Sequence, residues 1–210
     1  MLRNYKIGLI VSLKGNVLIV LILLLIPLTC WAFGPAIHGM MSMGSGGGSC
    51  TTEVSADSES DGGTNYNVGG TRLKLAGSWT TSEAYDLCKI EVDIAKVGTP
   101  PDPISVKIYD ATGAGGAPGN LLGTANETLS AGDVTTSHVF YTFTFTPSIS
   151  LANGTEYFVS LETTTEDGSH KYGTYLDTAT ATGASFKWTQ AGGAWAGEDA
   201  TSAIYRKPYK

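Results

Sequence analysis

Aromatic rings set among small polar residues give the C-terminal third of this sequence its best-defined chemistry. Tyr172, Tyr175, Trp188 and Trp195 are interspersed with glycine, threonine, Asp177 and Lys187. A planar ring stacks on the apolar face of a sugar while neighbouring carboxylates, amides and ammoniums bond its hydroxyls, so this mixture points to glycan recognition. The candidate ligand-binding set is therefore Trp195, Tyr175, Tyr172, Trp188 and Asp177. Trp195, between Gly193-Ala194 and Ala196-Gly197, reads as a ring at a loop tip. A competing reading has Tyr172 and Trp188 filling a core, because Phe186 and Trp188 share one face of an extended segment.

Catalytic patterns are missing from the sequence. A serine hydrolase would need a histidine held beside a carboxylate. Of His38, His138 and His170, only His170 has acids nearby in sequence, Glu166 and Asp167, and it reads as an ordinary loop histidine. Glu91, Asp93 and Glu162 could in principle supply the paired carboxylates of a glycoside hydrolase, the remote alternative. Glu91 and Asp93, however, fall on the polar face of a predicted strand, where solvated charge is the norm. Asp57, Glu59, Asp61 and Gly62 imitate the first half of a calcium loop, but Val68 occupies the position that needs a bidentate carboxylate. Spacings of the CxxC, HExxH and CxxCH types are absent, as is a phosphate loop with its lysine. The expectation is a non-enzymatic protein with no catalytic residues, no metal and no cofactor.

The segments around these residues fix their setting. Arg3, Lys6 and Lys14 precede the apolar run Val17 to Leu28, and Cys30-Trp31-Ala32 offers small side chains at the −3 and −1 positions of a cleavage site. Residues 1–32 are thus expected to be a secretory signal peptide. The alternatives are an uncleaved membrane anchor and a lipidated Cys30. Residues 33–64, rich in Gly, Ser and Met, read as a flexible tether. The expected location is extracytoplasmic: secreted, at the cell surface or periplasmic. Without Arg3, Lys6 and Lys14, ten of the 13 basic residues face 19 acidic ones, a net charge of −9 that repels phosphate backbones and argues against nucleic acid as a partner. Cys50 and Cys88 are a candidate disulfide in an oxidising compartment. Cys88 also lies in phase with Ile90, Val92 and Ile94, so it reads equally as a small buried hydrophobe.

From residue 65 to 210 the pattern is β. Leu73, Leu75 and Trp79 share one phase. Tyr85 to Val97 alternates cleanly, and Thr99 to Pro103 ends it, because consecutive prolines remove ladder donors. Ile104 to Tyr109 alternates again, then breaks into the glycine- and proline-rich loop Gly113 to Gly119, and Leu121 and Leu122 follow as a core-facing pair. Lacking a lysine and a following helix, this loop is a strand connector rather than a phosphate cradle. Further strands are predicted at Thr124 to Leu129, Val139 to Thr146 with Pro147 as its stop, Tyr157 to Leu161, Lys171 to Leu176, Ser185 to Thr189 and Ala203 to Arg206. Eight or nine strands and no helix define an all-β, antiparallel two-sheet sandwich, jelly-roll-like, with an immunoglobulin-like topology as the runner-up.

With these strands laid out, LCKIEVDIAKVG (Leu87 to Gly98), ISVKIYDATGAGGAPGNLLGT (Ile104 to Thr124), FTFTPSISLANGTEYFVSL (Phe143 to Leu161) and the closing FKWTQAGGAW and IYRKPY segments resemble bacterial secreted β-sandwich modules of the choice-of-anchor type. The resemblance implies an extracytoplasmic, non-catalytic domain that accompanies surface proteins, with an extracellular glycan or a surface protein as partner. Such modules are commonly tethered through a C-terminal anchor. Here Lys210 follows soon after the last predicted strand, so any attachment is expected at the N-terminus.

Overall fold

The structure, a computed structural model, describes residues 50–59, 63–69, 72–165, 167–177, 186–189, 193–199 and 202–210. The signal peptide, Cys30, His38, residues 33–49 of the tether, Asp61, Gly62 and Glu166 lie outside the described residues.

Strand-forming alternation produces β1 (Thr64–Val68), β2 (Lys74–Thr80), β3 (Tyr85–Val97), β4 (Ile104–Asp110), β5 (Leu121–Leu129), β6 (Val139–Leu151), β7 (Glu156–Glu162), β8 (Lys171–Asp177), β9 (Phe186–Thr189), β10 (Ala196–Asp199), β11 (Ala203–Ile204) and β12 (Arg206–Tyr209). They form two six-stranded sheets. In the first, β1, β8, β3 and β12 are neighbours in that order, β11 pairs with β8, and β6 pairs with β3. The second runs β10-β9-β2-β7-β4-β5. Every pairing is antiparallel. This is the all-β two-sheet sandwich that the alternation predicts, with more strands than expected. Polar β1 and glycine-flanked β10 carry too little apolar alternation to be seen in the sequence, and Tyr205 divides the last predicted strand into β11 and β12.

The core lies between the sheets. Leu75 and Trp79 of β2, Val106 and Ile108 of β4 and Val159 and Leu161 of β7 meet Ile90, Val92 and Ile94 of β3, Phe143 and Phe145 of β6 and Tyr172 and Leu176 of β8. A fully buried aliphatic or aromatic side chain contributes about 1.5–3 kcal/mol by leaving water.

Three sequence expectations are corrected by this packing. Cys88 is not in the core phase, because the β3·β6 register shifts between Leu87 and Lys89. The shift lets Leu87 and Ile90, three residues apart, both face the core, and leaves Cys88 only partly buried, where it is joined to Cys50 in a disulfide with Cα atoms 5.9 Å apart. The same irregularity contains Pro147, which therefore has no ladder bond to donate and does not end β6. Leu121 and Leu122 do not face the core: they are 50% and 39% exposed on β5, an edge strand of the second sheet.

The described end of the expected tether is also part of the fold. Residues 50–59 run along the free side of β12, with bridges Glu53↔Tyr209 and Glu59↔Arg206. The amides of Val54 and Glu59 donate to the carbonyls of Pro208 and Arg206 at 2.9 and 2.8 Å. Val54 is buried with the main core, and Asp57, at the end of a 3-10 turn over Ser55–Asp57, is buried beside it in sequence.

Candidate functional site

The outward faces of β2, β7 and β4 assemble a polar lattice on the second sheet. Because residues alternate across each strand, Leu75, Val106, Ile108, Val159 and Leu161 point inward and leave Lys74, Ser105, Lys107, Tyr109, Phe158, Ser160 and Glu162 on the other side. The register sets Lys74 and Ser105 on either side of Glu162, Lys107 beside Ser160, and Tyr109 beside Phe158. Lys107 thus lies diagonally from Glu162, and Tyr109, one pair further along the same face, reaches it with its long side chain.

Glu162 is buried, 5% exposed, and its carboxylate is fully engaged. Oε1 accepts from the Tyr109 hydroxyl at 2.8 Å and from Ser160 Oγ at 3.2 Å. Oε2 accepts from Lys107 Nζ at 2.7 Å and faces Lys74 Nζ at 3.6 Å. Burial alone would push this carboxyl up; hydrogen bonds from Lys107 and Tyr109 and the charges of both lysines outweigh it and hold the group below its ordinary value. The Tyr109 hydroxyl is pushed well above the usual tyrosine range, first by burial and then by donating to Glu162. A carboxylate with both oxygens engaged by three hydrogen-bond donors and a further ammonium is a positioning group, not a free base or nucleophile.

A groove of about 450 Å³ opens beside this cluster, between Leu73 and Pro103 and the polar groups of Lys74, Ser105, Lys107, Thr128, Glu162, Thr163 and Thr164. Glu162 is the only acid lining it among the described residues. Trp195 packs edge-on against Tyr109 with ring centroids 6.0 Å apart, and Lys74 Nζ lies 5.7 Å from the Trp195 centroid. Tyr109, Phe158 and Ala76 form a small apolar cluster on this face, with Trp195 packed against it.

The five predicted ring and acid residues do not form one site. Trp195 lies in the connection that precedes β10, with its ring half-buried against Tyr109 on the outer face of the second sheet. Tyr172 fills the core, the competing reading for it, and its hydroxyl donates to the carbonyls of Asp102 and Leu129 at 2.9 and 3.2 Å. Asp177 is buried in β8, opposite Ala203, so it is not displayed to a ligand. Trp188 is placed by register opposite Leu75 and Ala196. Tyr175 belongs to the first sheet, stacked on His138 at 3.8 Å and next to Tyr205 at 5.7 Å.

That stack marks a second polar cluster, which local sequence did not reveal. Asp93 is buried rather than solvated, and its Oδ2 lies 2.6 Å from His138 Nδ1 and accepts the Tyr175 amide at 3.2 Å. Asn65 Nδ2 lies 3.0 Å from His138 Nε2. Asn65 and Asp93 thus give both ring nitrogens a hydrogen-bond partner. The nitrogen that a hydrolase would aim at a serine is occupied by an amide, so the pair is an orienting structure without a nucleophile. Gly173 makes room for it, since a Cβ there would stand 2.7 Å from Asn65 Oδ1. His170 bonds Asp167 at 2.7 Å in an exposed loop. No cluster of three or more metal-ligating side chains occurs among the described residues.

Glu162, Lys107, Lys74 and Tyr109 are the residues whose assembly sequence reasoning missed. The available signal was parity: Lys107 and Tyr109 share the polar side of one strand, and Glu162 ends the polar side of another. No family model matches the chain, and comparison with curated proteins finds no match. The fold and site geometry therefore define an all-β antiparallel sandwich with a carboxylate-organised groove on one sheet. The Cys50–Cys88 disulfide is consistent with an oxidising, extracytoplasmic setting.

Proposed function

We propose that this protein is a secreted or cell-surface, non-catalytic β-sandwich module that binds an extracellular glycan through the outer face of the second sheet. One observation carries the reading. The Glu162–Lys107–Lys74 cluster lines a groove of about 450 Å³, and the Trp195–Tyr109 ring pair adjoins that cluster through Lys74 and Glu162. Such an arrangement offers an apolar platform flanked by a few fixed polar groups, the composition of a small-ligand site. The disulfide, the expected signal peptide and the resemblance to choice-of-anchor modules support an extracytoplasmic location. Pull-down on a panel of extracellular polysaccharides is expected to retain the protein on at least one, and Trp195→Ala is expected to abolish retention while the circular dichroism spectrum is unchanged. Retention that survives this substitution would remove Trp195 from the site, and failure to bind any glycan would remove the reading.

A second reading, a structural domain in a surface assembly with no small ligand, is favoured by a different observation. Leu121 and Leu122 are exposed on the edge strand β5, where a partner strand or apolar surface could add.

A further inference from the structure

Resting on the glycan-binding reading of this groove, we infer that its preferred ligand is an acidic sugar, a hexuronate whose carboxylate is received by Lys74 and Lys107. The argument is an inventory of hydrogen-bonding capacity. Glu162, the groove's only acid among the described residues that line it, accepts hydrogen bonds from Tyr109 and Ser160 on Oε1 and from Lys107 on Oε2, where Lys74 is also ion-paired at 3.6 Å. Its acceptor sites are committed. Each lysine ammonium carries three N–H donors and no acceptor, and the carboxylate can take only part of that capacity. The side chains of Lys74 and Lys107 are 38% and 26% exposed, so the remaining donors face solvent in the groove.

The hydroxyls do not offset this imbalance. Ser105 Oγ donates to the Glu162 carbonyl at 3.3 Å, and Thr164 and Thr165 both donate to Asp102 Oδ2. Asp102 is the other carboxylate near the rim, and those two hydroxyls hold it. The groove therefore combines two ammoniums with one saturated carboxylate, an excess of positively charged donors in a protein of net charge −6. A neutral sugar hydroxyl accepts from an ammonium without a charge of its own, whereas a carboxylate adds the attraction of opposite charges to the hydrogen bond. Glu162 acts as the group that positions the Lys107 ammonium. Lys74 lies between that carboxylate and the Trp195 ring, so one cation serves both the charged and the stacking halves of the site.

The test uses one backbone in two charge states, polygalacturonate and its fully methyl-esterified form, with titration calorimetry of the folded full-length protein. The acid is expected to bind about tenfold or more tightly than the ester, the difference one charge-assisted hydrogen bond supplies. Lys74→Met, which keeps the aliphatic stem and leaves Lys107 in place, is expected to narrow the difference between the two forms severalfold with the circular dichroism spectrum unchanged, and added salt is expected to narrow the gap in the unsubstituted protein. Equal affinity for acid and ester, or a preference that Lys74→Met does not reduce, would overturn the acidic-sugar assignment while leaving glycan binding in place. Loss of all polysaccharide binding in the unsubstituted protein would overturn both.

Discussion

Of the charged residues buried in this sandwich, Arg206 and Glu162 have surroundings that differ in one decisive respect. Arg206 lies on β12 opposite core residue Val92, with its guanidinium 5.2 Å from the Trp79 ring centroid and Nη1 donating to the Ile204 carbonyl at 3.1 Å. Burial pulls it down to about 10, and Glu59, Tyr85 and Asp57 oppose that shift, so it stays charged at neutral pH. Both carboxylates in this group come from residues 50–59. Asp57 itself accepts the Ser82 amide at 2.9 Å and the Tyr85 hydroxyl at 3.0 Å. Glu162 inverts the signs, a buried anion with cations around it, but those cations reach water. A charge enclosed with its partners specifies how segments meet, while a charge whose partners face a groove leaves bonding capacity for a ligand.

The comparison is most exposed to failure at Asp57. Asp57→Ala leaves the buried guanidinium short of a counter-charge and removes the acceptor of Tyr85 and the Ser82 amide, and is expected to destabilise the fold by about 3–5 kcal/mol in urea unfolding. Arg206→Met removes the charge instead of orphaning it and fills similar volume, so its cost should be clearly smaller. If the methionine variant is the less stable of the two, the Arg206 cluster is a net source of stability rather than a device that seats residues 50–59.

The disulfide tests the same end of the molecule with a smaller effect. Cys50 and Cys88 are 38 residues apart, and replacing both with serine is expected to lower stability by about 2–4 kcal/mol, because the closed loop no longer restricts the unfolded chain. The backbone bonds of residues 50–59 to β12 should then exchange their amide hydrogens earlier than those of β3, while glycan retention through the second sheet should persist. Hydrogen exchange followed by mass spectrometry reads both segments in one experiment.

How much of this was legible before folding follows from the range of the interactions. Period-two alternation is local, so β3, β4 and β7 could be read directly, and Ile104, Val106 and Ile108 could be assigned to the core. Pairing is not local. β7 runs between β2 and β4, so nothing in the sequence near Glu162 announces Lys74 or Lys107. Cys88 was assigned to the wrong face because a single register shift reverses the parity of everything beyond it. Residues 50–59 read as tether because their composition is polar, and the one apolar anchor, Val54, and the acid Asp57 acquire meaning only from Arg206 at the opposite end of the chain. The Asp93–His138 pair is hidden for the same reason, since Asn65, Asp93, His138 and Tyr175 come from four separate segments.

The Glu162 side of the comparison makes the smallest stability prediction and the one with a pH signature. Glu162→Gln keeps the shape but removes the charge that gathers Lys107, Lys74 and Tyr109, and its expected cost is about 1–3 kcal/mol near neutral pH, because the freed ammoniums can turn to water. The sign of the pH effect follows from linkage. Glu162 is held below its ordinary 4.5 in the folded protein, so in the window just under that value the unfolded chain binds more protons than the folded one. Its contribution is fully present above about 4.5 and is lost as the pH falls through the lowered folded value. Urea midpoints measured down this range should therefore converge for the parent protein and Glu162→Gln as the solution is acidified. A constant gap between them would mean that the carboxylate's charge does not organise the groove, and the contrast with the enclosed Arg206 would lose its basis.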